Sequence, residues 1–318
     1  MIALLCCLFL AEPTKVVYAA GYIPNIQFAP FYVADVRGYY REEGLVLEMD
    51  YTMGPDVMKL VALNKVQFAS ADPDGFLHAV VRGLPLIHVA TLYQRYPLAL
   101  IAKEPLLQGP TLKGKRIGIS GTYGSSYLGL KAMLAEMGLA LEDITLATIG
   151  FTQVSALQNN QVDAVMGYVN NEPIHLESLG ETVYTRTLGP AFSFPGVGLM
   201  TSRTFFEKNP DLVQKFLKAT FRGMADVLAD PKGCFDLVVK EKLPELQNEK
   251  NSKSAFQILE ATLPYWQSER VSEEGLGQCD PQLWEQLAKN LAGTTGNNSY
   301  LDWKTWVNRD FQSNLPKP

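Results

Sequence analysis

Residues 21–45 read GYIPNIQFAPFYVADVRGYYREEGL. From Gly21 to Tyr32 this stretch carries no charge, yet it holds Tyr22, Asn25, Gln27, Phe28, Phe31 and Tyr32. It follows KVVYAA (15–20), a run rich in β-forming residues, and leads into apolar positions at Phe28, Tyr32, Val36 and Tyr39. That spacing predicts a helix, and Gly44 supplies its stop. In LVLEMDY (45–51) the apolar Leu45, Leu47, Met49 and Tyr51 share one face and Glu48 and Asp50 the other, as in a half-buried strand. Strand, loop of rings and amides, helix, strand is the opening of an α/β unit. In such units the loop beyond a strand's carboxyl end is where ligands sit.

The alternation continues outward. A helix near 55–64, a strand at VQFASA (66–71), a helix from about Asp74 to Arg82 stopped by Gly83, and strands at LIHVATL (86–92) and PLALIA (97–102) complete a first unit. After the turn-rich GPTLKGK (109–115) a second series begins: strand KRIGIS, loop GTYGSS, helix YLGLKAMLAEMG, strands ITLATIG and VDAVMGY with a helical stretch between them, then TVYTRTL and VGLMTS. From about residue 202 the chain turns helical, with Leu212, Phe216, Ala219 and Met224 on one stripe of DLVQKFLKATFRGMADVLAD, opened by Asn209 and Pro210. Further helices are expected around 253–267 and 281–292. The reading is an α/β protein with largely parallel sheets in two similar units and a helical tail.

Composition agrees. A chain of 318 residues has room for two domains, and 47% apolar with 19% charged residues is ordinary for a globular core. A net charge of −5 without a Lys/Arg-rich run argues against nucleic acid. IALLCCLFLA (2–11) is too short to span a bilayer and reads as the apolar part of a secretory signal, with a buried first strand as the alternative. Cys6 and Cys7 follow leucines there and also suggest a lipoprotein signal. The remaining cysteines, Cys234 and Cys279, lack metal-like spacing and are expected to be unbonded thiols in partly buried positions.

The two units open alike, so their strand-end loops can face each other across a cleft. The candidates for ligand contact are Tyr22, Asn25, Gln27 and Phe28 in the opening loop, Asp72 in ADPD, and Tyr93 and Gln94 after LIHVATL. From the second unit come Tyr123, Ser125 and Ser126 in GTYGSSY, and Tyr168, Asn171 and Glu172 in GYVNNEP. Rings stack on a flat ligand, while amides present both a donor and an acceptor to a heterocycle's edge. An oxyanion site needs Arg or Lys forks, and Arg95 is the one candidate. The set therefore favours a flat, uncharged nitrogen heterocycle. Structural readings stand beside this one: Tyr22, Phe28 and Tyr32 as core, Asn25 and Asn171 as turn residues, Ser125, Ser126, Asp72 and Asp74 as helix caps, and Glu172 in an exposed first turn. His78, His88 and His175 are isolated, with His88 inside an apolar strand as a satisfied core histidine. No GxSxG, HExxH or phosphate-loop motif occurs. Catalytic residues, metal ligands and a cofactor are not expected.

The strings GYIPNIQFAPFYVADVRGYYREEGL, RGLPLIHVA, TLKGKRIGIS, QNNQVDAVMGYVNNEP and NPDLVQKFLKATFRGMADVLADP, in that order from about residue 16 to 235, resemble the thiamine-pyrimidine-synthesis-like group of ABC-importer substrate-binding proteins. YQRYP, GTYGSSY and GYVNNEP look most like its riboflavin-binding members. The resemblance implies a type II periplasmic-binding-protein fold: two α/β lobes joined by two crossover strands, with the helical tail packed on the first lobe. PLALIA and VGLMTS stand where the crossovers are expected. The implied division is 1–14 as signal remnant, 15–103 with 202–318 as lobe 1, and 104–201 as lobe 2. It further implies a monomer outside the cytoplasmic membrane that passes a heteroaromatic ligand, riboflavin or a thiamine pyrimidine, to a permease. Tyr22 with Asn25, and Glu172, correspond to the heterocycle-holding positions of the pyrimidine binders. Relatives that bind nitrate, bicarbonate or alkanesulfonates remain alternatives, as do fungal enzymes that make the thiamine pyrimidine. Those enzymes rely on a cysteine-rich motif and an active-site histidine, which this chain lacks in its opening loops.

Overall fold

The structure, a computed structural model, describes residues 12–51, 56–105, 108–122, 124–189, 194–310 and 315–318. The apolar segment 2–11 and Tyr123 lie outside the described residues.

Ten strands occur among the described residues: β1 (Thr14–Ala19), β2 (Leu45–Asp50), β3 (Phe68–Ala71), β4 (Leu86–Thr91), β5 (Leu98–Ala102), β6 (Arg116–Ile119), β7 (Thr145–Thr148), β8 (Ala164–Tyr168), β9 (Tyr184–Thr187) and β10 (Gly198–Ser202). Each falls on a run that the residue pattern marks as a strand. They build two five-stranded sheets, ordered β2-β1-β3-β10-β4 and β7-β6-β8-β5-β9. In the first sheet β1 runs parallel to β2, with Val16 opposite Leu47, and parallel to β3. In the second, β6 runs parallel to β7 and β8. The half-buried reading of β2 follows from its edge position: Leu45 is buried while Val46 and Glu48 are exposed.

The antiparallel members are β5 and β10. β5 pairs with β8 and β9, and β10 pairs with β3 and β4. PLALIA and VGLMTS are the first strands the chain makes after each change of sheet, and each enters its new sheet antiparallel to its neighbours. All five residues of β5 and all five of β10 are buried, as the interior strands of a sheet must be.

Gly198 admits β10 to its place. A Cβ there would lie 1.9 Å from His88 Nε2 and 2.8 Å from the Ala90 carbonyl oxygen, distances no side chain tolerates. The helix expected from Phe28 to Tyr39 is in fact a short 3-10 turn, Ile26–Phe28, then helices Ala29–Val36 and Tyr39–Glu42. The break is at Gly38, whose φ of 80° ends one helix in the left-handed region.

The tail covers both faces of the first sheet. Helix Pro210–Ala229 packs on helix Ala29–Val36, and Phe216 stacks on Phe68 of β3 with ring centroids 3.9 Å apart. On the other face, Trp284 of helix Pro281–Thr295 meets His88 of β4 at 4.9 Å and Trp303 at 6.2 Å. Helix Pro231–Glu241, which the residue pattern did not single out, buries Cys234 and Phe235. Cys234 and Cys279 are both fully buried and neither forms a disulfide. No helix among the described residues is long and apolar enough to cross a membrane.

Candidate functional site

Strands β1, β3, β6 and β8 end at Ala19, Ala71, Ile119 and Tyr168, and the segments that follow these carboxyl ends meet in a seam between the two lobes. From the first lobe, Tyr22 lays its ring edge-on against Phe151 of the second lobe, with centroids 5.8 Å apart. The Asn171 side chain is within hydrogen-bonding reach of both the Tyr22 hydroxyl and the Glu172 carboxylate. Burial, aided by the Glu172 charge, pushes the Tyr22 phenol up to about 12.

Glu172 opens helix Glu172–Ser178 and is buried. Its Oε2 accepts the Tyr168 backbone N–H at 2.7 Å, yet burial still raises its pKa above the usual carboxylate range. Asp72 stands at the N-cap of helix Pro73–Val81 without a capping hydrogen bond from its side chain. Instead it accepts the Tyr96 hydroxyl and the Ser125 backbone N–H from across the seam. Burial, with the charge of Asp74 adding to it, pushes Asp72 up to about 7. Asp74 accepts the Ser125 hydroxyl, and burial raises it as well. Tyr168 and Tyr96 are edge-to-face at 5.7 Å, with their hydroxyls 3.1 Å apart.

The seam thus gathers rings, amides, the buried carboxyls of Asp74 and Glu172 and the half-buried carboxyl of Asp72. No ion pair among the described residues involves Asp72, Asp74 or Glu172. Arg95, the cation an oxyanion reading needs, is exposed and stacked on the Tyr265 ring at 4.9 Å. No cluster of three or more metal-ligating side chains occurs among the described residues.

Other members of the candidate set have different surroundings. Asn25 caps the short turn after it, its Oδ1 accepting the Gln27 N–H at 2.9 Å. Gln27 buries its Nε2 without a hydrogen-bond partner. Phe28 is edge-on to Tyr32 and packs against the first-lobe core. Tyr93 is buried, its hydroxyl sharing hydrogen bonds with Thr262, Trp266 and Asn170. The Gln94 amide is engaged on both sides, donating to the Gln278 carbonyl at 3.1 Å and accepting from Ser268 Oγ at 3.2 Å. Ser125 is buried at the seam and Ser126 half-buried beside it.

Three seam residues lay outside the candidate loops, whereas Asp74 stands with Asp72 in ADPD, as a site residue or a cap. Tyr96 lies within YQRYP. Phe151 follows β7 and was findable by the same strand-end rule. Thr262 carried no local signal: it sits on tail helix Glu249–Thr262 and accepts Asn170 Nδ2 at 2.8 Å, so the tail touches the second lobe as well as the first.

Comparison with known proteins fits this architecture. The NMT1/THI5 like family model matches residues 25–234. Riboflavin-binding protein RibY of Chloroflexus aurantiacus is 41% identical over 86% of this chain and 80% of its own. A 4-amino-5-hydroxymethyl-2-methylpyrimidine phosphate synthase of Legionella pneumophila is 28% identical over 80% of each. Among solved structures, the alkanesulfonate-binding protein SsuA of Xanthomonas axonopodis pv. citri, bound to MOPS, superposes with a TM-score of 0.73 at 16% identity, covering 94% of this chain and 99% of that one. With its paired sheets, interior antiparallel strands and the match over most of both lobes, this chain belongs to the NMT1/THI5-like family.

Proposed function

We propose that the chain is a solute-binding protein of an ABC importer, working outside the cytoplasmic membrane. It closes two lobes on a flat nitrogen heteroaromatic vitamin or precursor, riboflavin or a thiamine pyrimidine. The observation that carries this reading is the convergence of Tyr22, Asn171 and Glu172, from opposite lobes, with no ion pair to Glu172 among the described residues. A ring, an amide and a buried carboxyl suit a heterocycle that offers a π-face and N–H donors. Three carboxyls lacking a counter-ion disfavour nitrate or sulfonate, whose charge they repel.

Tyr22, Tyr168, Asn171 and Glu172 are the central contacts, with Gln27, whose buried Nε2 wants an acceptor, beside them. Asp72, Ser125 and Ser126 shape the mouth. Asn25, Phe28, Tyr93 and Gln94 hold the loops in place. The relative named as a riboflavin-binding protein supports the ligand class. The protein acts as a monomer, without cofactor, metal or nucleic acid, and delivers its ligand unchanged to a permease. A pyrimidine-forming enzyme is the second reading, favoured by the synthase relative. Against it, His88 is buried in the core and His78 is bonded to Tyr300, both away from the seam.

Titration with riboflavin, followed by quenching of its fluorescence, and calorimetry with an aminopyrimidine, nitrate and taurine test the proposal. One heteroaromatic ligand per chain, recovered unaltered, is the expected result. Saturable binding of nitrate or taurine alone, or conversion of the bound ligand, rejects it.

A further inference from the structure

We propose that Asp72, Asp74 and Ser125 form a proton-dependent latch that favours the shut arrangement of the lobes, a control that rests on the solute-binding reading above. Asp72 and Asp74 belong to the start of helix Pro73–Val81 in the first lobe, and Ser125 to the start of helix Gly124–Glu136 in the second. One serine is held twice: its hydroxyl donates to Asp74 and its backbone N–H to Asp72. Asp72 also takes the Tyr96 hydroxyl, which lies 3.1 Å from that of Tyr168.

The groups that face the pair are few. Its own helix supplies only the other aspartate and backbone N–H groups, helix Gly124–Glu136 supplies Ser125, the crossing supplies Tyr96, and the end of β8 supplies Tyr168. No ion pair among the described residues neutralises either carboxylate. Closing the lobes takes Asp74 out of water, leaves Asp72 half-buried and sets the two side by side, which favours their holding a proton. Opening returns them to solvent, where both ionise at ordinary values.

The direction follows. In the shut arrangement burial lifts Asp72 to about 7 and lifts Asp74 too. The shut arrangement therefore binds more protons than the open one between the ordinary carboxylate range and about 7. Mild acid favours closure, and raising the pH through 7 favours opening and release.

The test pairs ligand titration with solution scattering. Riboflavin affinity at pH 5.5 and 8.5 should differ by about ten-fold or more in the parent protein, tighter in acid. The difference should shrink to within about two-fold in Asp72→Asn/Asp74→Asn. Ser125→Ala, which removes a small hydroxyl, guards against misfolding of the double variant and should weaken binding at pH 5.5 more than at pH 8.5. In ligand-free protein the radius of gyration should be larger at pH 8.5 than at pH 5.5, and insensitive to pH in the double variant. A pH-independent affinity and radius in the parent, or a slope kept in full by the double variant, overturns the latch. Failure of riboflavin and aminopyrimidine to bind at any pH would instead reject the function proposed above, while the scattering comparison still decides the latch.

Discussion

The ring of Tyr22, in the first lobe, meets the ring of Phe151, in the second, edge-on at 5.8 Å. Phe151 is 49% exposed, unusually open for so large an apolar group, so the pair marks the rim of the cleft and not its core. Replacing Tyr22 with Ala should lower heteroaromatic affinity at least ten-fold, about 1.4 kcal/mol, by removing the stacking face. Tyr22→Phe keeps the ring and loses only the contact with Asn171, so its loss should be several-fold smaller. Calorimetry on both variants checks the order. Equal losses would show that the hydroxyl, not the ring, carries the contact.

The second prediction concerns the tail. Asn170 is buried, with Nδ2 donating to Thr262 Oγ1 at 2.8 Å and Oδ1 lacking a partner. Thr262→Val removes the Thr262 hydroxyl from the buried group it forms with Asn170 and Tyr93 and leaves that group one acceptor short, a change worth about 1–3 kcal/mol. Because the bond joins the tail to the second lobe, urea unfolding should show the loss, and proteolysis should become faster around Glu249–Thr262. Unchanged stability would mean that water or a rearranged Asn170 fills the place.

These two cases show what was legible in the sequence. All ten strands announced themselves because β-rich runs alternate with helical spacing and glycine stops. The strand-end loops drew attention to the proposed site because rings and amides without charge, as at Tyr22 and Asn171, are unusual in exposed turns. Partners were not legible. Gln94 and Asn25 have the same chemistry as Asn171, but only long-range packing decides that Gln94 bonds Gln278 and that Asn25 caps its own turn. The tail's reach to Asn170 was hidden for the same reason, since nothing near Thr262 in the chain encodes a residue 92 positions away.

The third prediction is steric. Gly198 opens β10 against β4, where a Cβ would fall 1.9 Å from His88 Nε2. Gly198→Ala must push His88 into Trp284 or break the β10–β4 ladder, at about 1–3 kcal/mol. Thermal unfolding should detect it, and shortening the residue it strikes should recover part of the loss. A Gly198→Ala protein as stable as its parent would refute the register of β10.

The last prediction is a pair of opposed titrations. His88 lies between Trp284 and Phe76, with Nδ1 3.5 Å from Cys279 Sγ, and burial lowers its pKa to about 3. An unfolded chain takes up that proton near 6.5, so folding becomes less favourable as pH falls below 6.5, and the decline from this site continues toward 3. Asp72 acts in the other direction. Its folded pKa of about 7 stands above the unfolded value, so folding becomes more favourable as pH falls from 7 toward 4. Between pH 4 and 6.5 the two effects oppose each other, each up to about 1.4 kcal/mol per pH unit. Asp72→Asn should therefore expose the acid-labile slope of His88, and His88→Gln should expose the opposite slope of Asp72. Denaturant unfolding of the two single variants at pH 4.5, 5.5, 6.5 and 7.5 measures both, and slopes of the same sign would contradict the buried, uncharged state assigned to His88.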